Sequence, residues 1–189
     1  MPLLQLLKPM KVLLLMQNKM QKFFVCTGLL ISMFVYANDY SDTEFRLARS
    51  PLINGSQVNN LLKNPSVDVR EALAQNRRVT SEALFQLASD PSERVRIAVA
   101  TNLSTDTKTF QKLALDSNQS VKSVVARFEY VPAEVLAILA LDKSAEIRIE
   151  VARNLNTLAP TLNALLKDSD PDVKAVAAQA LQRLDDERR

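Results

Sequence analysis

Between residues 56 and 184, apolar side chains fall into short stripes separated by polar punctuation. In SEALFQLA (81–88), Leu84, Leu87 and Ala88 stand at i, i+3 and i+4, the spacing of one buried face of an amphipathic helix. In PSERVRIAVAT (91–101), Val95, Ala98 and Val99 repeat that spacing, with Asn102 just beyond. Both stripes are short, and helices under ~12 residues are marginal alone in water. Such a pair needs neighbours.

The neighbours recur at a fixed interval of 26 residues. Leu61, Leu87, Leu113, Leu139 and Leu165 form one column, and Leu84, Phe110, Leu136 and Leu162 another. Val69, Val95, Val121, Ile147 and Val173 form a third, and Ala74, Ala100, Ala126, Ala152 and Ala178 a fourth, small enough for helices to approach closely. Columns in phase over five copies, with no insertion, indicate stacked units rather than a single-core globule. The pattern predicts an all-α fold: a short right-handed α-solenoid of about five 26-residue two-helix repeats over 56–184. A capping helix and loop (38–55) precede it, and a charged tail (185–189) follows.

Polar positions keep the same interval. Asn64, Asp90, Asp116, Asp142 and Asp168 are each followed six residues later by Arg70, Arg96, Lys122, Arg148 or Lys174. Asp90 reads as an N-cap, with Pro91 in the first turn and Glu93 completing a capping box; Asp116 and Gln119 repeat the box. Each cap is worth about 1 kcal/mol. Arg96, one turn further in, has Asp90 behind it and Asp116 of the next unit in front. Because every base travels with its own acid, a ladder of alternating charge is the favoured reading, and a basic stripe for an anionic partner is the alternative. Asn76, Asn102 and Asn154 end the second helix, where Asn tolerates the left-handed conformation. The third unit instead has Phe128, then Glu129, Tyr130, Val131 and Pro132. Phe128 reads as a plug in the core; the alternative is an aromatic binding spot at a bend.

The N-terminal segment changes the electrostatics. Lys19 and Lys22 precede the apolar run FFVCTGLLISMFVYA, and polar residues follow at once. This is the layout of a secretory signal peptide over 1–37, cleaved between Ala37 and Asn38. An uncleaved membrane anchor is the alternative, although the run is short for a span of roughly 20 residues. Translation from Met16 or Met20 would remove an apolar stretch that a signal does not need. The formal charge is +3, with 24 basic and 21 acidic residues. Without Lys8, Lys11, Lys19 and Lys22, the remaining 20 bases and 21 acids give −1. A basic nucleic-acid-binding surface then loses its support. The ends read as polar caps. SDTE (41–44) opens a helix to about Arg49, stopped by Pro51, and the interval lays Ala48 over Ala74.

The D…VR pattern with its six-residue offset, and the alanines after it, resemble short HEAT repeats. AVATNLSTDTKTFQKLALD (98–116) also resembles the leucine-rich repeat variant, whose unit alternates an α-helix with a short 3₁₀ helix. The resemblance covers residues 56–184 and implies an architecture rather than an activity. The iron–sulfur segment of one variant-repeat family requires cysteines, and Cys26 stands alone in the leader. HEAT-like units also occur in a metal hydroxylase, which implies histidine ligands; this chain has no His. With no nucleophile–base pair and no Gly-rich loop, the chain reads as a non-enzyme without cofactor or metal.

The expected function is therefore an exported, periplasmic scaffold that binds a protein or peptide, as a monomer. Its membrane-anchored form is one alternative, and a nucleic-acid-binding α-solenoid, as in some alkylated-DNA repair proteins, is another. Stacked units present an extended concave surface lined by second helices. At ~8–10 Å per layer it would run on the order of 45 Å. Its candidate contacts are the varying outward positions Arg94, Ile97, Thr101, Ser120, Ser123, Arg127, Glu146, Ile149 and Arg153. Ile97 and Ile149 are notable there as apolar residues on a face expected to meet solvent.

Overall fold

The computed structural model describes residues 42–186. The expected signal peptide, its cleavage point at Ala37 and Asn38, the cap residue Ser41 and the last three residues lie outside the described residues. From Glu44 onward the chain forms one compact unit. Its helices are α1 (42–48), α2 (Gly55–Leu61), α3 (Val67–Gln75), α4 (Ser81–Leu87), α5 (Glu93–Ala100), α6 (Thr107–Ala114), α7 (Gln119–Arg127), α8 (Ala133–Leu139), α9 (Ala145–Arg153), α10 (Ala159–Leu165) and α11 (Pro171–Asp186). Both helices of each unit are α-helical, so the 3₁₀ element that the variant-repeat resemblance implies does not occur among the described residues.

Even-numbered helices pack on the odd-numbered helix that follows. The odd-numbered helices also stack on one another, α3 on α5, α5 on α7, α7 on α9 and α9 on α11. This is an α-solenoid, and the columns show why. Val69, Val95, Val121, Ile147 and Val173 are all at most 1% exposed, one per layer. The leucines at 61, 87, 113, 139 and 165 are buried beneath the first helices. Ala74, Ala100, Ala126 and Ala152 have no exposed surface, each lying where the neighbouring second helix crosses. Ala178 is exposed, because α11 is the last second helix described and no layer covers it.

The helix starts differ from those read in the sequence. Second helices open two residues later, with Ser66, Ser92, Asn118 and Ser144 as N-caps. Asp90 and Asp116 therefore sit two residues outside the helix, where each Oδ1 accepts the N–H of Ser92 or Asn118 in an Asx turn. Glu93 does not close a box; its carboxylate accepts from Asn118 Nδ2 of the next unit at 2.9 Å. Among second helices, Asn118 caps α7 and Asp170 caps α11 through their side chains, and three first helices are capped likewise. Asn54 and Gln57 form a full capping box on α2, Thr80 caps α4 and Asp106 caps α6.

The asparagine column also acts differently. Among the described residues none has a positive φ, so left-handed tolerance is not its purpose. Each Asn points across to the preceding layer. Asn76 Nδ2 donates to Ala48 O at 2.7 Å and Ser50 O at 2.9 Å. Asn102 donates to Ala74 O at 2.6 Å and Asn76 O at 3.2 Å. Asn154 donates to Ala126 O at 2.7 Å and Phe128 O at 3.0 Å. Meanwhile each Oδ1 accepts the N–H two residues on. Helix C-termini leave carbonyls without intrahelical partners, and here the next layer supplies the donor. Phe128 cannot donate. It packs against the core, with ring centroids 5.9 Å from Phe110 on α6 and 5.7 Å from Tyr130 in the following turn, so the α5–α7 junction goes without an asparagine bond and the ring contacts stay within one unit.

Candidate functional site

The charged columns form rungs between consecutive layers. Arg70 Nε and Nη2 meet Asp90 at 2.6 and 3.0 Å. Arg96 meets Asp116 at 2.7 and 3.2 Å, and Arg148 meets Asp168 at 2.7 and 2.8 Å. Lys122 Nζ makes a single bond to Asp142 at 2.6 Å. The guanidinium of Arg96 reaches back as well as across: Nη1 donates to the carbonyl of Asp90 at 2.8 Å, not to its carboxylate. Arg70 and Arg148 do the same to Asn64 and Asp142. These side chains are 5–18% exposed, so their polar atoms are committed within the stack. Lys174 is exposed and forms no ion pair among the described residues.

Sequence reading missed one rung. Counting back 26 residues from Arg70 lands on Glu44, which accepts from Asn64 Nδ2. An acid replaces the base and an amide replaces the acid, so the cap keeps the bond with its polarity reversed. The interval carried one unit further would have found it.

The rungs set the acid response. The hydrogen bond from Arg148, opposed by burial and helped by the N–H of Asp170, holds Asp168 down at about 2, against an ordinary 3.8. Burial works against Asp142, but Lys122 and the N–H of Ser144 outweigh it and keep that carboxyl below the ordinary range too. A carboxyl depressed in the fold stabilises above its unfolded value of about 3.9 and loses that contribution as pH falls through its folded value. Stability in urea should therefore drop between pH 4 and 2. Asp168→Asn keeps an Oδ1 acceptor for the Asx turn without the charge, and it should flatten the drop; an unchanged acid slope would remove Asp168 as a cause.

The proposed contact positions lie on three successive second helices, α5, α7 and α9, with Thr101 at the C-cap of α5. Two of them correct the sequence reading: Ile97 and Ile149 pack partly against the core instead of pointing away from it. Arg94 is exposed but holds Asp68 Oδ1 at 3.0 Å and also Glu71. Glu146 accepts from Gln119 Nε2 at 2.8 Å, and Arg153 lies 3.4 Å from Glu150. Ser120 is exposed and Ser123 half-buried. What remains open is one column: Gln75, Thr101, Arg127, Arg153 and Gln179, all exposed. It holds two bases and no acid.

A second feature lies at the loop edge, where the turns after α7 and α9 run side by side. Asn156 Nδ2 donates to Glu129 O at 2.6 Å and Val131 O at 3.2 Å, pinning one turn to the other. Above this floor is an open groove of about 680 Å³, walled chiefly by Tyr130, Pro132, Leu155, Leu158 and Leu184. Leu184 belongs to α11, which has Ala180 in the asparagine column and runs on past the point where the other second helices stop. Among the described residues no cluster of His, Cys, Asp and Glu suits a metal ion, and no helix is long and apolar enough to cross a membrane.

Comparison with known proteins bears on the fold alone. No family model matches the chain, and no curated protein matches it. A solved structure described as a leucine-rich repeat variant with a novel repetitive structural motif superposes with a TM-score of 0.56 at 22% identity. The match covers 71% of this chain and 52% of the other, so the chain spans about half the length of that protein. The α-helical repeat architecture is shared.

Proposed function

We propose that this chain is an exported, non-enzymatic scaffold that binds a protein or peptide along its row of second helices. The observation that carries the reading is the open column Gln75, Thr101, Arg127, Arg153 and Gln179. It steps once per layer across α3, α5, α7, α9 and α11, and the rungs and asparagine bonds fix its spacing. A rigid, evenly spaced surface loses little conformational entropy when a partner docks, which favours affinity. Arg127, which forms no ion pair among the described residues, with Arg153 one layer on and only loosely held by Glu150, favours a partner bearing carboxylates. Export rests on the N-terminal lysines and apolar run, and a membrane-tethered form would present the same column.

The test places a photo-crosslinking amino acid at position 101 in producing cells, identifies the captured partner, and then titrates that purified partner. Thr101→Glu with Arg127→Glu should weaken binding at least tenfold, because both side chains are exposed and the second reverses a charge. The thermal midpoint should hold. Equal affinity for the double variant would eliminate the column as the binding face. N-terminal sequencing of the envelope fraction checks the export reading, with Asn38 as the expected first residue.

A further inference from the structure

We infer that the groove at the loop edge is a second docking site, for an apolar peptide segment of another protein flanked by lysine or arginine. It goes beyond the binding column, on which it does not depend.

The repeat itself shows that the groove is not a by-product of stacking. At the N-cap of the first helices, the first three units carry Asn54, Thr80 and Asp106, and each caps its helix with a side-chain bond. The last two units carry Pro132 and Leu158 at the same position, and neither forms such a bond. Two caps are missing where the groove lies. The column of Tyr130 carries Arg78 and Ser104 in the earlier turns, and that of Leu155 carries Arg77, Leu103 and Glu129, so apolar residues from both columns and from the capping column gather only here. The replacements are not hidden in the core, since Tyr130 is 61% exposed, Leu155 72% and Leu158 59%. Tyr130 keeps an edge contact with Phe128, but Leu155 and Leu158 gain little within the chain by staying in water. Contiguous apolar surface of this kind marks a docking site.

The chemistry of the occupant follows from what the groove lacks. Its polar groups are used internally: the Asn156 amide holds the neighbouring turn, and the buried Thr157 hydroxyl donates to Val151 O at 2.5 Å. The walls therefore call for apolar side chains. Among the described residues around them, acids outnumber bases. Glu129 lines the groove, and Glu134, Asp185 and Asp186 are the other charged residues on its three bordering segments (129–134, 155–159 and 184–186). Of the bases just outside, Arg153 is paired with Glu150, and Arg183 precedes Leu184 on α11. An apolar core beside acids fits an apolar segment with basic flanks.

The experiment selects peptides from a phage-displayed library of random 12-residue sequences against the full chain, then measures the enriched peptides by fluorescence polarisation. Enrichment of two or three apolar residues beside lysine or arginine is expected. Leu155→Ser with Leu158→Ser should weaken binding at least tenfold, and Glu129→Lys should weaken the basic peptides several-fold. Because Leu158→Ser restores a capping side chain to α10, that change alone should raise the thermal midpoint by roughly 2–4 °C, so lost binding cannot be put down to lost folding. Acidic consensus peptides, peptides indifferent to the leucine changes, or no enrichment would each overturn the proposal. So would a wild-type dimer that dissociates in the double-serine variant, which would make a second copy the occupant. Thr101→Glu with Arg127→Glu should leave the peptides bound, which separates this site from the binding column.

Discussion

Asn102→Leu should cost about 3 kcal/mol of unfolding free energy, although leucine is close to asparagine in size. Asn102 is 4% exposed. Its amide serves the carbonyls of Ala74 and Asn76, and its Oδ1 takes the N–H of Ser104 at 2.8 Å. Asn76 O keeps the N–H of Val79, but leucine leaves Ala74 O and the Ser104 N–H without that partner, and a buried polar group left unpaired costs about 1–3 kcal/mol. Some of that is recovered where the edge of the loop can admit water. Asn102→Asp keeps the acceptor, loses both donors and sets a carboxylate against two carbonyls, so it should be at least as damaging. Urea titration of the three proteins decides the matter. A loss below about 1 kcal/mol for the leucine variant would mean that the asparagine bonds are incidental and that the alanine and valine columns hold the layers unaided.

The second large effect belongs to the charged rungs. Asp116→Leu should destabilise by about 3 kcal/mol, because it strands Arg96 Nε and Nη2 in a site where that side chain is 14% exposed, and removing one partner of a buried pair is the costly change. It also deletes the acceptor for the N–H of Asn118 at the opening of α7. Arg96→Met with Asp116→Leu should recover much of the loss, since apolar replacements of both partners are often near neutral. Asp142→Leu should cost less than Asp116→Leu. Lys122 makes one bond where Arg96 makes several, and its 18% exposed ammonium can swing into water. If the double variant were no better than Asp116→Leu alone, the ion pair would not be the source of the effect and the lost Asx turn would be.

Much of this molecule was legible in its residues. The 26-residue interval marked the layers, and Val69 through Val173 stack as it required. The acid and base columns were visible too, but their partners were not. Asp90 looked like a cap because an acid before Pro-Ser commonly is one; it stands two residues outside the helix, with its carboxylate shared between its own turn and the previous layer's arginine. Asn102 looked like a helix stop because asparagine often is, yet its amide spans 28 residues to Ala74 O. Ile97 was placed on the outer face because helical spacing cannot say how much of a short helix its neighbour covers. The groove escaped notice because Pro132 and Leu158 look ordinary singly; only their place in the capping column marks them.

The period, the helical class and the buried columns were all readable from the residues. These depend on side-chain size and apolarity along one helix face, and a local pattern records both. Tertiary structure alone decided which polar atom meets which, how far α11 runs beyond its neighbours, and where apolar residues remain in water. Those outcomes depend on the distance and rotation between layers. That geometry arises only when the columns pack, and no single unit contains it.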